Sequence, residues 1–379
     1  MHKLPYLDQW QDILLQNQYQ FKRNDIGYGK SGTILFLWYK YLVYKKETDL
    51  YVCQDLCEDL MQSIQNSLEK PSSFLFIELT EVSLLLDILD LEAFQKLDLQ
   101  SFKSEVYNLL LSYSRNFLVS DNIDPYTGGG YIYYLFLLRK DKLKIQEFIS
   151  YLELNKKVTI EGAYIRNQND RSVQLGLAHG ISFIVTYLSL VNKVYPELGS
   201  KNLLEQFTLF LINQKQDHGL YQSVFPDKYG QKPISRLNIC YGDAGILYAL
   251  QHSNKALDGL IQKELNEIEP FILNRIQTTI MEGPKPGLLY GQTGLATFLE
   301  IYQSLSIDKN SLSILCDQNY RFLTNQIIES KIRKSSINSF TIKNMSFAEG
   351  IIGQLIFMMG KKANDYRYAK SFFLLENLI

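Results

Sequence analysis

Gly242-Asp-Ala-Gly-Ile-Leu-Tyr-Ala-Leu250 sets two glycines, Gly242 and Gly245, at the head of an apolar run whose spacing suits a helix. Outward from it the arrangement recurs at Gly29-Lys-Ser-Gly32, Gly128-Gly-Gly-Tyr131, Gly180-Ile-Ser-Phe183, Gly291-Gln-Thr-Gly294 and Gly350-Ile-Ile-Gly353. Glu78-Leu-Thr-Glu81, running into Val82, fills the long gap between the first two of these in chain order. The seven starts, at 29, 78, 128, 180, 242, 291 and 350, are separated by 49, 50, 52, 62, 49 and 59 residues. Eight residues into each unit stands an apolar side chain: Leu37, Leu86, Phe136, Leu188, Leu250, Leu299 and Met358. Such a period accommodates two helices of about 15 residues with their connections, so each unit is read as a helical hairpin. Small residues at a helix start let backbones approach closely and leave the first amides unobstructed. An open solenoid would end in polar caps, whereas Ile351 to Met359 is almost wholly apolar, which favours closure of the hairpins into a ring. The predicted fold is all-α, a double-layered α/α toroid of seven hairpins and about fourteen helices, in one domain over 1–379.

Length and charge agree with this reading. A chain of 379 residues buries roughly three quarters of its extended surface if it folds as one body. Its formal net charge of −1 gives no surplus to attract nucleic acid or an anionic membrane. The longest apolar stretches, such as Ile181 to Val191, fall short of the roughly 18 residues of a membrane span. Met1 to Gln20 mixes Asp8, Gln11, Asp12 and Gln16 among its apolar residues and lacks the core of a secretory signal, so a cytoplasmic protein with reduced thiols is expected. Gly27-Tyr-Gly29-Lys-Ser-Gly32 spells a dinucleotide fingerprint, but Phe21 to Ile26 is too polar for the buried strand that motif needs, and Asn24 stands where a phosphate loop requires glycine. No HExxH, GxSxG or two-histidine ligand spacing is present.

What remains is a set of polar residues at the glycine segments: Asp124 before the third, His179 abutting the fourth, and Arg236, Cys240 and Tyr241 running into the fifth. Singly, each has a structural explanation as a buried histidine, a core thiol or a capping group. If the helix starts share one end of a ring, these residues converge on one cavity there, and helix N-termini add positive potential.

Gly176-Leu-Ala-His-Gly180, Asn238-Ile-Cys-Tyr-Gly-Asp-Ala-Gly-Ile246 and Leu288-Leu-Tyr-Gly-Gln-Thr-Gly294, in this order on a sevenfold helical repeat, resemble the lanthionine synthetase C-like (LanC) family from about residue 25 to the end. The resemblance implies the double-layered helical toroid, and a reaction that adds peptide cysteine thiols to dehydroalanine or dehydrobutyrine to form thioether rings. It matches Cys240 to a zinc-binding cysteine, but puts Leu289 and Tyr290 where the family has its Cys-His pair of further ligands. It matches His179, Arg236, Asp124 and Tyr241 to the family's catalytic positions. Ile239, Ala244 and Phe183 are lesser departures, standing where tryptophan, proline and glycine are usual. Zinc would hold the substrate sulfur as thiolate, His179 would supply the proton to the enolate, Asp124 would orient the imidazole and Arg236 would stabilise negative charge. Leucine cannot ligate zinc and neutral tyrosine is a poor ligand. The expected function is therefore a LanC-like cyclase without a family-type zinc site, acting on a ribosomal precursor peptide beside a dehydratase. The alternatives are a non-catalytic peptide-binding or scaffold member of the family, and another helical-toroid enzyme acting on carbohydrate or isoprenoid, the latter without support from a DDxxD motif.

Overall fold

The computed structural model describes residues 5–166, 171–232, 236–282, 287–306, 309–329 and 341–372. Most of the turn expected over Gly283 to Gly287, and the basic segment Lys331 to Lys334, lie outside them. The first helices are α1 (Pro5–Gln16), α2 (Lys30–Tyr44), α3 (Glu47–Glu69), α4 (Leu75–Ile88), α5 (Leu99–Val119), α6 (Gly129–Leu138) and α7 (Lys142–Asn155). A small antiparallel hairpin follows, β1 (Lys157–Thr159) and β2 (Gly162–Tyr164), with Val158 opposite Ala163. Next come α8 (Ile181–Val194), α9 (Lys201–Ile212), α10 (His218–Tyr221), α11 (Asp243–Ala256) and α12 (Gln262–Glu282). The last are α13 (Gln292–Tyr302), α14 (Lys309–Glu329), α15 (Ile342–Met345) and α16 (Ile351–Ala363). Among the described residues these make sixteen α-helices; α1, α10 and α15 stand outside the hairpin repeat, the last two being only four residues long.

Two compact units divide the chain. One comprises Met1–Leu110, Gly283–Thr297 and Ser313–Ser371, and in it α2 packs against α3, α4 and α16. The other comprises Leu111–Glu282, Phe298–Leu312 and Phe372–Ile379, and in it α8 packs against α9 and α11, with α12 on α11 and β2 on α9. Within each unit the helices are of two kinds. Those that follow a glycine segment are buried on nearly all sides: Ile181 to Val191 of α8 and Ile351 to Gly360 of α16 are buried without a break. Their partners carry one apolar stripe, such as Leu265, Ile268, Ile272, Ile276 and Ile280 on α12, at the spacing of three and four that one helix face requires. Among the described residues no helix is long and apolar enough to cross a membrane, and the four cysteines are buried with none in a disulfide.

Four of the glycine segments, those at Gly29, Gly128, Gly180 and Gly242, share one loop geometry. The carbonyl six residues before the glycine accepts the first amide of the helix: Lys30 N to Arg23 O at 3.0 Å, Gly129 N to Asn122 O at 2.8 Å, Ile181 N to Gln174 O at 3.0 Å and Asp243 N to Arg236 O at 3.3 Å. This backbone cap does the work that a Ser or Asp side chain does at an ordinary helix start. It also leaves no room at the glycine, since a Cβ would lie 2.1 Å from Gln174 O at Gly180 and 2.5 Å from Arg236 O at Gly242. Four residues before the glycine a side chain accepts the amide of the residue that precedes it: Asp25 from Tyr28 at 2.6 Å, Asp124 from Thr127 at 2.8 Å, Asn238 from Tyr241 at 2.9 Å and Ser346 from Glu349 at 3.2 Å.

The second repeat departs from the expected helix start. Glu78 lies one turn inside α4, which begins at Leu75, because no glycine loop precedes it. Its two glutamates instead grip the loop of the first repeat. Glu81 Oε2 accepts the amides of Ile26 at 2.5 Å and Gly27 at 3.0 Å, and Glu78 Oε2 accepts Asn24 Nδ2 at 3.0 Å. Asp25, paired with Arg23, is buried beside them.

Burial, reinforced by the charge of Asp25 and opposed by the two amides, pushes the Glu81 carboxyl up to about 8. A carboxyl whose pKa is higher folded than unfolded binds more protons in the folded state, so its contribution is full below about 4.5 and is lost as the pH rises towards 8. Unfolding free energy should therefore fall between pH 5 and pH 8, by at most about 1.4 kcal/mol per pH unit from this group. In Glu81→Gln that part of the slope should vanish. Denaturant midpoints at the two pH values check this, and equal slopes in the two proteins would refute it.

Candidate functional site

The residue immediately before each glycine is exposed or partly exposed, as His179 and Tyr241 are. In the third, fourth and fifth repeats the segments belong to one unit, and they bring four of the expected residues into a row. His179 Nδ1 lies 2.9 Å from Asp124 Oδ2. The other oxygen of Asp124 is the turn acceptor, taking the amides of Tyr126 at 3.0 Å and Thr127 at 2.8 Å and the Thr127 hydroxyl at 2.9 Å. One carboxylate thus serves its own loop through Oδ1 and the imidazole through both oxygens, Nδ1 lying 2.9 Å from Oδ2 and 3.1 Å from Oδ1. Burial alone would raise the Asp124 carboxyl, but the His179 hydrogen bond and charge and the Thr127 donors more than offset it, so it is held below its ordinary range. An imidazole seated on a carboxylate through Nδ1 carries its proton there, which leaves Nε2 as the basic nitrogen.

Tyr241 stacks on the imidazole, with ring centroids 5.1 Å apart and planes 18° from parallel. On the Tyr241 ring lies the guanidinium of Arg236, 5.4 Å from the centroid. Tyr126 meets the imidazole edge-on at 6.1 Å. Arg236 is paired in turn with Asp227, 2.9 Å from Nη1 to Oδ2. Asp227 is absent from any sequence motif, and no spacing singled it out; only the return of its segment beside the fourth loop brings it here.

Cys240 takes part through its backbone. Its carbonyl accepts the Ala178 amide at 3.0 Å, which joins the fourth and fifth loops. The side chain is buried, and burial pushes the thiol up to about 12, so at neutral pH it is protonated. A pocket opens beside the pair and is lined by Asp124, His179, Arg166 and Gln174 with the apolar Ile165, Ile181 and Ile184. Arg236, Cys240 and Tyr241 are not among its lining residues; Tyr241 instead covers a face of the imidazole.

Among the described residues the donors do not make up a zinc ligand set. Cys240 supplies one sulfur, Leu289 and Tyr290 stand at the positions matched to the other two ligands, and no three His, Cys, Asp or Glu side chains among the described residues gather to hold a metal.

A sequence profile of the lanthionine synthetase C-like protein family matches residues 20–374. Among curated proteins none matches in sequence. In three dimensions the chain is similar to a nisin cyclase, with a TM-score of 0.74 at 17% identity, over 99% of this chain and 98% of that one. A likeness at that identity carries the fold, and with it the all-α, α/α-toroid class that the repeat predicts.

Gly176 is the contact between two of the site loops, since a Cβ there would lie 2.3 Å from the Cys240 carbonyl oxygen. Gly176→Ala should push the fourth and fifth loops apart and cost about 1–3 kcal/mol of stability, together with the stacking of His179 on Tyr241. Denaturant unfolding measures the first; unchanged stability would show that the loops separate freely.

Proposed function

Because the chain belongs to the lanthionine synthetase C-like family, we propose that it is a peptide cyclase of that kind, joining a cysteine of a ribosomal peptide to a dehydroalanine or dehydrobutyrine of the same peptide. The observation that carries this reading is the His179–Asp124 pair at 2.9 Å, seated in a pocket with an apolar share. The addition needs a base for the thiol and an acid for the carbon, and one imidazole serves both. His179 Nε2 takes the proton from the substrate sulfur as the S–H bond breaks. The thiolate then adds to the β-carbon, and the electron pair of the double bond moves towards the carbonyl oxygen. Arg236, which lies outside the pocket lining with its side chain 46% exposed, is assigned to that developing charge by its match to the family position. His179 returns the proton to the α-carbon, so nothing is oxidised or reduced. Asp124 keeps the ring in the tautomer that presents Nε2 and stabilises its protonated form.

In this reading thiolate formation falls to His179 and not to a family-type zinc ion, as the donor set around Cys240 indicates. The alkene must come from dehydration of serine or threonine in the precursor peptide, a step for a separate dehydratase, and both would act in the cytoplasm.

Incubation with dehydrated, cysteine-containing precursor peptides should consume peptide thiols, and His179→Ala should lower turnover by about 10²-fold or more. A variant that cyclises at the wild-type rate would remove His179 from the mechanism, while a wild-type protein that binds the peptide and never consumes its thiols would make the chain a peptide-binding module. After dialysis against a mild chelator the purified protein should hold well under one zinc per chain by elemental analysis. Stoichiometric zinc would show that other ligands replace Leu289 and Tyr290.

A further inference from the structure

We propose that Asp227 is a positioning residue of this site: it holds the Arg236 guanidinium on Tyr241 and ties that arrangement to the segment that carries His179. The two ends of the ion pair differ, the Asp227 side chain being 9% exposed and that of Arg236 46%. The buried carboxylate is therefore the fixed end, and the guanidinium is the end that reaches outward. An exposed Arg–Asp pair does little for stability. Here the carboxylate has also been taken out of water, and its Oδ1 has no hydrogen-bond partner among the described residues. That is a costly way to fasten a loop, and it is accounted for if the orientation of the guanidinium is what it secures.

The backbone of the same residue supplies the second link. Asp227 O accepts the Leu175 amide at 3.0 Å, Tyr229 N donates to Val173 O at 2.9 Å, and Gln174 and Lys228 form an antiparallel bridge. The segment 227–229 therefore lies along 173–175, four residues ahead of His179. Its preceding residues are held as firmly, because Asp243, the first residue of α11, accepts the amides of Val224 and Phe225 at 3.0 Å and is paired with Arg275. Asp227 is thus fixed from both sides and touches both loops, with its carboxylate on one and its carbonyl on the other. Asp124 and Asp227 stand at opposite ends of one row, Asp124–His179–Tyr241–Arg236–Asp227, and each orients the cation or imidazole next to it.

The catalytic consequence rests on the cyclase reading; the positional one does not. The test uses Asp227→Asn, Asp227→Glu and Arg236→Gln. Without substrate, phenylglyoxal modification of Arg236, followed by peptide mass mapping, should be several-fold faster in Asp227→Asn than in the wild type, and Asp227→Glu should restore most of the protection. With a dehydrated, cysteine-containing peptide, Asp227→Asn should lower kcat by about tenfold to a hundredfold at little-changed KM, and should cause no further loss in the Arg236→Gln background. Unchanged Arg236 reactivity in Asp227→Asn, or an equal loss with and without Arg236, would overturn the proposal. So would loss of the helical circular-dichroism signal in Asp227→Asn while Arg236→Gln folds, since the residue would then be purely structural. If the wild type consumes no thiols, the cyclase reading fails and Arg236 reactivity alone decides the role of Asp227.

Discussion

A single backbone hydrogen bond, from the first amide of a helix to the carbonyl six residues before its cap glycine, recurs in four repeats and sets how the site loops are built. The bond satisfies a helix terminus without a capping side chain, and in doing so brings a carbonyl to where a Cβ would sit, 2.1 Å away at Gly180. Glycine is therefore imposed by space. The same curl sends the side chain before the glycine outward, which is where His179 and Tyr241 stand, and directs the side chain four residues before it back onto the loop, which is where Asp124 stands. Arg236 is the residue whose carbonyl makes the bond in the fifth repeat. The site residues are thus particular positions of a structural loop, and their chemistry is superimposed on a scaffold that the first repeat uses without them.

Asp124 shows how the two roles coexist. Equivalent side chains in other repeats, Asp25, Asn238 and Ser346, accept the same turn amide. Any of them holds its loop, but at Asp124 the carboxylate also meets an imidazole, which neither Asn238 nor Ser346 could orient with a charge. The thiol of Cys240 is placed differently. It is buried and protonated, and the residue joins the fourth and fifth loops through its carbonyl, so its place in the motif has a structural use that does not depend on a metal.

The second repeat reaches the same end with other groups. Lacking a glycine loop of its own, α4 projects Glu78 and Glu81 into the loop of the first repeat, where they accept backbone and side-chain N–H groups. Two acceptors bring charge where the other repeats bring close contact. The consequence is a buried acidic group, Asp25 with Glu81, whose protonation is coupled to folding.

The repeat, the all-α class and the helix starts were legible in the chain itself, because close approach demands glycine and burial demands an apolar run, and both demands recur about every fifty residues. His179, Asp124, Arg236 and Tyr241 were legible as candidates because they are polar residues gathered at the glycine segments of that repeat. The helix start of the second repeat was not, since two glutamates carry no local sign that they grip a loop more than fifty residues away. Nor was Asp227, which lies in no motif and acquires its partner only when residues 227–229 run alongside 173–175. Local sequence fixes what a residue can do to its own turn, through sterics and hydrogen bonding over a few residues. Which imidazole meets which carboxylate, and which carboxylate holds which guanidinium, depends on separations of about 3 Å between distant segments, and those distances exist only once the helices have packed.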